Sequence, residues 1–319
     1  MKRTKVLITG SGGFIMGNFI RQSFFNKKTY TISSIDRVRD THIIHNIYVN
    51  SDHHFYINDI TDKHSLRVIF EKEQPDIVIH GAAETFPSET FVTSNVTGTQ
   101  NIIEECLKHN SRLIYISSDK VYQPLISENE ELHSDDSQKV NPVDMPNATK
   151  LAGEILVETA GRVYGLSNLR LRLGNVYGPW QTKDHLIPYI ISQIINNKPV
   201  NIYGKGQHLR LWTHVYDIVK SIFLFIDEDN WDVINNKPIN VTSKNEFSNL
   251  EVFHIIADIL GKGFELLKFI EDIPENHFRA GSKSDLLRNY TKWTPEYKLK
   301  DGLRQTCQWY VNNKYVLSL

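Results

Sequence analysis

The N-terminal segment places a short apolar run directly before a cluster of glycines and a helix-like stretch. Val6-Leu7-Ile8-Thr9 is typical of a buried parallel strand, and Gly10-Ser11-Gly12-Gly13 follows at once. Glycine lets the backbone approach a pyrophosphate closely, and the N-terminus of the following helix supplies N–H donors and a positive dipole end. The segment therefore predicts a strand, a phosphate-binding turn and a helix, the opening unit of a nucleotide-binding α/β domain.

A second strand is indicated at Thr31–Ile35, and it ends at Asp36. An acid at this point can hydrogen-bond the adenosine ribose hydroxyls and repel a 2′-phosphate, which favours NAD. Arg37 and Arg39 follow and can instead hold that phosphate, so NADP stays open. The alternative for Asp36 is an ordinary turn residue at a strand end.

Composition excludes several other classes of protein. The 319 residues carry a formal net charge of -1, so no basic field points to nucleic acid. No apolar stretch reaches the roughly 20 residues of a membrane helix, and the N-terminal apolar run is too short for a signal peptide. The 2 cysteines form no zinc or disulfide pattern. We therefore expect a cytoplasmic protein without a bound metal or a membrane partner.

Two further apolar runs lead into polar residues. Asp76–His80 is followed by Gly81-Ala82-Ala83-Glu84, and Leu113–Ile116 is followed by Ser117-Ser118-Asp119-Lys120. Ligands of open parallel sheets bind beyond the carboxyl ends of the strands. These segments are therefore predicted to border the binding site.

The stretch from Ser117 to Tyr122, together with Asn147-Ala148-Thr149-Lys150, resembles the catalytic segments of the extended short-chain dehydrogenases/reductases. The glycine pattern is similar to that family's Gly-x-x-Gly-x-x-Gly, with Met16 at the third glycine. The resemblance extends over nearly the whole chain. It implies a Rossmann-type doubly wound parallel sheet with a smaller C-terminal α+β substrate lobe, and cofactor contacts at Gly10, Gly12, Gly13, Phe14, Ile15, Asp36, Arg37, Asp59, Ile60, Ala82, Ala83 and Lys150.

The C-terminal half resembles the sugar-nucleotide lobe of the same family, through Leu171–Pro179 and the pattern from Tyr203 to Asp217. By this resemblance Glu84, Asn175, Arg210 and Arg279 bind the substrate, the two arginines as diphosphate ligands. The predicted cofactor domain is 1–174, completed by about 212–232 and 238–260. The predicted substrate lobe is about 175–211 and 261–319.

The predicted chemistry centres on Asp119 and Lys120, because Pro146 stands where the family pattern Tyr-x-x-x-Lys has its tyrosine. An Asp-Lys pair resembles the inverting UDP-N-acetylglucosamine 4,6-dehydratases. By this resemblance Asp119 would be the acid that protonates the hydroxyl leaving C6 of the sugar, and Lys120 would be the base for the proton on C5. Lys150 would hydrogen-bond the nicotinamide ribose. For the C4 base, the candidates are Tyr122, Asp119 itself or a water held by Ser118.

Two alternatives stay open beside this prediction. One is a retaining dehydratase acting on UDP- or dTDP-glucose, and the other is a non-catalytic scaffold that binds a nucleotide sugar. The helices after Asn95 and Thr149 resemble the family's dimer-forming pair, so a homodimer or higher homo-oligomer is expected.

Overall fold

The structure is a computed structural model that describes residues 3–24, 30–37, 53–85, 89–135, 139–227, 231–272 and 277–318. It consists of two compact units. The first comprises Met1–Val121, Val140–Arg172 and Ser221–Ile239. The second comprises Tyr122–Lys139, Leu173–Lys220 and Asn240–Leu319.

The strands and helices follow one another along the whole chain. The strands are β1 Thr4–Thr9, β2 Tyr30–Asp36, β3 His53–Ile57, β4 Ile77–His80, β5 Arg112–Ser118, β6 Asn168–Leu173, β7 Asn175–Tyr177, β8 Val200–Tyr203, β9 Leu209–His214, β10 Lys237–Val241, β11 Glu246–Ser248, β12 Leu267–Ile270 and β13 Arg279–Ala280. The α-helices are α1 Phe14–Ser23, α2 Lys63–Glu73, α3 Thr99–His109, α4 Met145–Tyr164, α5 Leu186–Ile195, α6 Val215–Ile226, α7 Trp231–Ile234, α8 Asn249–Leu260, α9 Asp285–Thr291 and α10 Leu299–Asn312.

A seven-stranded sheet with the order β10-β6-β5-β4-β1-β2-β3 forms the centre of the first unit. β1 lies in the middle and pairs in parallel with both β2 and β4. β2 and β3 are also parallel, as are β4 and β5. Every residue of β4 is buried, as expected for a strand covered on both faces. The predicted Rossmann-type parallel sheet is confirmed.

The chain reverses its strand order beside β1, since β2 lies on one side and β4 on the other. The carboxyl ends of these strands therefore border the crevice where ligands of such sheets bind. A π-helix, Thr93–Gly98, precedes α3 directly. Its wider turn shifts the following residues relative to a regular helix, a feature that often occurs at functional sites.

The second unit contains two smaller sheets. Strands β11, β9 and β13 pair in that order, with β7 also on β9, and β8 pairs in parallel with β12. The structure groups Ser221–Ile239 with the first unit and Asn240–Leu319 with the second. Helix α8 therefore belongs to the second unit, although 238–260 was assigned to the cofactor domain from sequence. In the part of the chain that the structure describes, no helix has the length and hydrophobicity needed to span a bilayer.

Candidate active site

The glycine turn after β1 is held tightly against the turn after β4. Gly10 has a φ of +72°, and a Cβ on it would lie 2.6 Å from the backbone nitrogen of Ala82. Gly13 is the N-cap of α1, with no side chain over the helix end. The backbone N–H of Gly12 donates to Asp36 Oδ2 at 2.8 Å, so the acid at the end of β2 is fixed beside the turn. Glycine is required here because the backbones themselves are in contact.

A cleft opens beyond this turn at the carboxyl ends of β1, β2 and β4. Most of the residues predicted to bind the cofactor line it: Gly10, Gly12, Gly13, Asp36, Arg37, Asp59, Ile60, Ala82 and Ala83. Glu84, predicted to bind substrate, lines the same cleft. The structure therefore brings together residues that lie more than seventy positions apart in the chain, at the switch point of the sheet.

Charged side chains meet within this cleft. The guanidinium group of Arg37 forms an ion pair with the carboxylate of Glu84, and it lies 4.0 Å from Asp59 Oδ2. Asp59 also accepts hydrogen bonds at 2.8 Å from the backbone N–H and the hydroxyl of Thr61. Asp59 thus stabilises the turn before α2 in addition to facing the cleft. Arg39 lies outside the described residues.

The predicted catalytic segment begins where β5 ends. Ser118 is the last residue of the strand, and Asp119 and Lys120 start a single 3₁₀ turn. The Lys120 backbone N–H donates to Ser118 Oγ at 3.1 Å, which closes this turn. Asp119 is buried, whereas Lys120 is exposed. A buried carboxyl group at a strand end is well placed for acid–base chemistry.

Lys150 is buried beside the same strand. Its Nζ donates to the backbone oxygen of Ile116 at 2.7 Å and lies 5.3 Å from the centre of the Tyr115 ring. Burial lowers the pKa of Lys150 to about 8, and the Glu154 carboxylate counteracts this shift. The hydrogen bond to Ile116 fixes the amine beside the end of β5, the strand that leads into Ser118 and Asp119.

Helix α4, which carries Lys150, begins with Pro146 in its first turn. The side chain of Asp144 caps the helix by accepting from the Asn147 backbone N–H at 2.8 Å. Proline suits this position because a first-turn N–H has no partner within the helix. The position at which the family pattern has tyrosine is thus a well-formed helix start, and it carries no proton donor or acceptor.

Asn95 connects the cleft to the start of α4. Its side chain accepts from Glu84 N at 2.7 Å and donates to Glu84 O at 3.0 Å. It also donates to Thr149 Oγ1 at 2.9 Å. These contacts give Asn95 a structural role between the cleft and the first turn of α4.

The second unit contains the remaining predicted substrate residues. Asn175 opens β7 and pairs in register with Trp212, and Arg210 lies on β9 opposite Phe247. Arg210 Nη1 donates to the carbonyl of Leu209 at 2.7 Å. The β7–β9 pairing brings the two sequence motifs of the predicted substrate lobe next to each other.

The structure assigns Tyr122 a different role from the predicted one. Its side chain is buried in the second unit, and its hydroxyl lies 3.0 Å from both Ser134 O and Asn240 Oδ1. Its ring stacks on His133. Because these partners hold the phenol within its own unit, Tyr122 is not placed to act as the C4 base, contrary to the prediction from sequence.

Arg279 is likewise occupied within the second unit. Its Nε donates to Glu246 Oε1 at 2.6 Å, and Nη2 donates to Glu246 Oε2 at 3.0 Å. Nη1 donates to the carbonyl oxygens of Glu128 and Glu130. With four of its five N–H groups directed at protein acceptors, Arg279 has a structural role and is not arranged as a diphosphate ligand.

The profile of the NAD dependent epimerase/dehydratase family matches residues 6–241. The chain belongs to this family.

Family members of known activity align over almost the full chain. The dTDP-glucose 4,6-dehydratase of Haemophilus influenzae is 30% identical and covers 97% of this chain and 98% of its own length. The corresponding enzyme of Salmonella typhimurium is 28% identical over 97% of this chain and 93% of its own. The chain is therefore homologous to nucleotide-sugar 4,6-dehydratases.

Solved structures of family members have the same fold. A Bacillus anthracis dTDP-glucose 4,6-dehydratase in complex with NAD superimposes with a TM-score of 0.91 at 24% identity, covering 99% of both chains. A Bacillus cereus UDP-glucuronic acid 4-epimerase in complex with NAD gives 0.86 at 25% identity, covering 97% of this chain and 99% of the other.

Some residues that line the cleft were not predicted from the sequence. Ser94, in the π-helix, and Asn58, after β3, both line it. Asn58 lies next to Asp59, and Ser94 next to Asn95, which were both considered from sequence. A rule that extends each motif by one residue would have found them.

Proposed function

We propose that this protein is an NAD-dependent 4,6-dehydratase that acts on a glucose linked to dTDP or UDP. The observation that carries the proposal is the position of Asp119, buried at the end of β5, in the unit that contains the glycine cleft and Lys150. The relatives described as dTDP-glucose 4,6-dehydratases support this substrate class. They favour it over the UDP-N-acetylglucosamine substrate expected from sequence.

NAD fits the cleft on structural grounds. A side chain on Gly10 would meet the backbone at Ala82, so the cradle accepts only a bare backbone, as a pyrophosphate requires. Asp36 would bind the adenosine ribose, and Lys150 the nicotinamide ribose. The family structures in complex with NAD support the choice of this cofactor. When bound, NAD supplies a group that accepts a hydride from C4 of the sugar and returns one to C6.

The chain's own residues would handle the protons. Asp119 would donate a proton to the hydroxyl that leaves C6, and Lys120 would remove the proton from C5. A water held by Ser118, or Asp119 itself, would accept the proton of the C4 hydroxyl, in place of the absent tyrosine. Such groups each contribute roughly 10² to 10⁴-fold to a reaction rate.

The test is to incubate the purified full chain with NAD and, separately, dTDP-glucose, UDP-glucose and UDP-N-acetylglucosamine. Proton NMR detects the 4-keto-6-deoxy product, and reaction in D₂O reports exchange and configuration at C5. Product from a glucose nucleotide with retained configuration supports the proposal. Product only from UDP-N-acetylglucosamine with inverted C5 would instead restore the prediction from sequence.

Pro146 favours a second candidate, a non-catalytic protein that binds a nucleotide sugar on the same fold. The first turn of α4 provides no phenol for oxidation at C4. Under this alternative, calorimetry would detect binding of NAD and a nucleotide sugar, but no keto sugar would form. Turnover of any of the three substrates rules the alternative out.

A further inference from the structure

His80 lies at the centre of a buried chain of hydrogen bonds beneath the cleft. It is the last residue of β4 and is fully shielded from solvent. Its Nδ1 lies 2.6 Å from Thr9 Oγ1, and its Nε2 lies 3.0 Å from Thr99 Oγ1. The imidazole therefore joins the end of β1 to the start of α3.

The partners of the two threonines fix the direction of each hydrogen bond. Thr99 Oγ1 donates its single proton to the carbonyl of Asn95 at 2.7 Å, so it must accept from His80. Thr9 Oγ1 accepts from the Ala82 N–H at 3.2 Å, and its own proton is available for Nδ1 of a neutral ring that carries its proton on Nε2. The ring consequently carries its proton on Nε2 and accepts at Nδ1.

The electrostatic surroundings keep this ring neutral. Burial, together with the positive charge of Lys150, lowers the pKa of His80 to about 3. His80 also packs against Tyr115, whose hydroxyl donates to the Lys150 carbonyl at 3.1 Å. A protonated imidazole has no acceptor for the Thr9 hydroxyl proton and places a second positive charge close to the amine of Lys150.

The chain continues from both threonines to groups of the candidate site. On one side, Thr9 holds the backbone of Ala82, which lines the cleft. On the other side, Thr99 holds Asn95, whose side chain fixes the backbone of Glu84 and the hydroxyl of Thr149, next to Lys150.

We propose that His80 is a positioning residue that, as the Nε2-protonated neutral tautomer, aligns the turn Ala82–Glu84 with the first turn of α4 for dinucleotide binding. The inference rests on the proposed function in so far as it is tested by the affinity for NAD. Its tautomer readout does not depend on the proposed function.

Three variants separate the two hydrogen bonds from the volume of the ring. His80→Phe keeps the ring and removes both bonds. His80→Gln places an amide nitrogen near Nε2 and keeps the donor to Thr99, and His80→Asn places an amide oxygen near Nδ1 and keeps the acceptor for Thr9. His214→Phe is the matched control, because His214 is a buried, neutral histidine of the second unit.

Calorimetric titration with NAD measures the affinity of the folded full-length variants, with circular dichroism to confirm folding. We expect His80→Phe to raise the Kd for NAD about tenfold, as for a buried group left without its partner. His80→Asn and His80→Gln should give smaller increases, and His214→Phe should lower the melting temperature without changing the Kd. If His80→Phe does not fold, Thr9→Val and Thr99→Val serve instead, with the same expected increase.

Long-range ¹H–¹⁵N NMR of the wild-type histidines, with His80 assigned by comparison with His80→Asn, reports the tautomer directly. The expected spectrum shows a neutral Nε2–H ring that does not titrate between pH 5 and 8. A proton on Nδ1, a titration near pH 6, or folded His80→Phe with wild-type NAD affinity would each overturn the inference. If wild type bound no NAD but showed the expected tautomer, the proposed function would fail while the hydrogen-bond chain remained.

Discussion

Met16 and Gly81 pack directly against each other, and the side chain of Met16 fills the space next to Gly81 that a side chain on Gly81 would need. A Cβ on Gly81 would lie only 2.6 Å from Cγ of Met16 and 3.2 Å from its Sδ. Met16 stands at the third position of the glycine pattern, where close packing of helix and strand normally requires glycine. In this chain the residue without a side chain is Gly81, directly after β4, and the residue of α1 in the contact is Met16. Helix α1 can therefore start at Phe14 next to the sheet.

This contact predicts a strong interaction between the two positions. Gly81→Ala should lower the free energy of unfolding by about 1–3 kcal/mol, because the new methyl group overpacks against Met16. Combining it with Met16→Ala should cost less than the sum of the two single substitutions. Urea unfolding of the four proteins gives the interaction energy, and strict additivity would contradict the contact.

Asp119 and Lys120 should have separable effects on turnover. We expect Asp119→Asn to lower kcat by 10²-fold or more, since the C6 hydroxyl would leave without a proton donor. Lys120→Met should lower the exchange of the C5 proton by a similar factor. Both variants should bind NAD with wild-type affinity, because the cleft is lined by other residues. A Lys120→Met enzyme with unchanged exchange at C5 would exclude lysine as the base.

The buried amine of Lys150 should make stability depend on pH. Its folded pKa of about 8 is lower than the ordinary value of 10.5, so the unfolded chain binds more protons between these values. Stability should therefore rise as pH increases from 8 to 10.5, by at most roughly 3 kcal/mol. Lys150→Met should lack this rise and lose affinity for NAD. Chemical unfolding of both proteins at pH 7, 8, 9 and 10 checks the difference, and parallel curves would contradict it.

Pro146→Tyr should increase activity. The substitution places a phenol one turn before Lys150, at the family's tyrosine position, and so adds a proton acceptor for C4 oxidation to the Ser118-held water or Asp119 proposed above. We expect kcat for dehydration to rise at least tenfold, with a stability loss below about 1 kcal/mol from the missing proline. Pro146→Phe is the control, since it has the same ring without the hydroxyl. Equal activities of the two variants would show that the C4 base lies elsewhere.

Arg279 should matter for stability rather than for substrate affinity. Arg279→Lys keeps one charge but cannot reproduce the paired hydrogen bonds to Glu246 or reach both loop carbonyls. We expect a loss of about 2–4 kcal/mol in the free energy of unfolding, and an unchanged Kd for the nucleotide sugar in the folded protein. A large rise in Kd without loss of stability would return Arg279 to the substrate site.

Much of the fold follows from local patterns in the sequence. The apolar runs before Gly10, Asp36, Gly81 and Ser117 each form a strand of the parallel sheet, because such strands are buried on both faces. The residues after the strands that end before Gly10, Asp36 and Gly81 line one cleft, as expected because the carboxyl ends of parallel strands share an edge. Ser117 to Lys120, at the end of β5, are not among the described residues that line this cleft.

Long-range partners could not be derived in the same way. Tyr122 and Arg279 both have side chains suited to catalysis or phosphate binding, and only the folded chain shows that Asn240 and Glu246 occupy them. The sequence indicated His80 only as the end of a strand. Its hydrogen bonds could not be predicted, because the two threonine partners are 71 and 19 residues away in sequence. The contact between Met16 and Gly81 could not be predicted for the same reason, since the two residues lie far apart in sequence.

The π-helix at Thr93–Gly98 makes the length of this segment more important than its composition. Each residue of a helix turns the chain by about 100°, so deleting one residue here would convert the wide turn to an ordinary one and rotate Asn95 away from Glu84 and Thr149. Side chains on the outer face can change freely, whereas a one-residue gap would separate the cleft from the helix that carries Lys150. Members of the family that preserve this connection should therefore align through the segment without insertions or deletions.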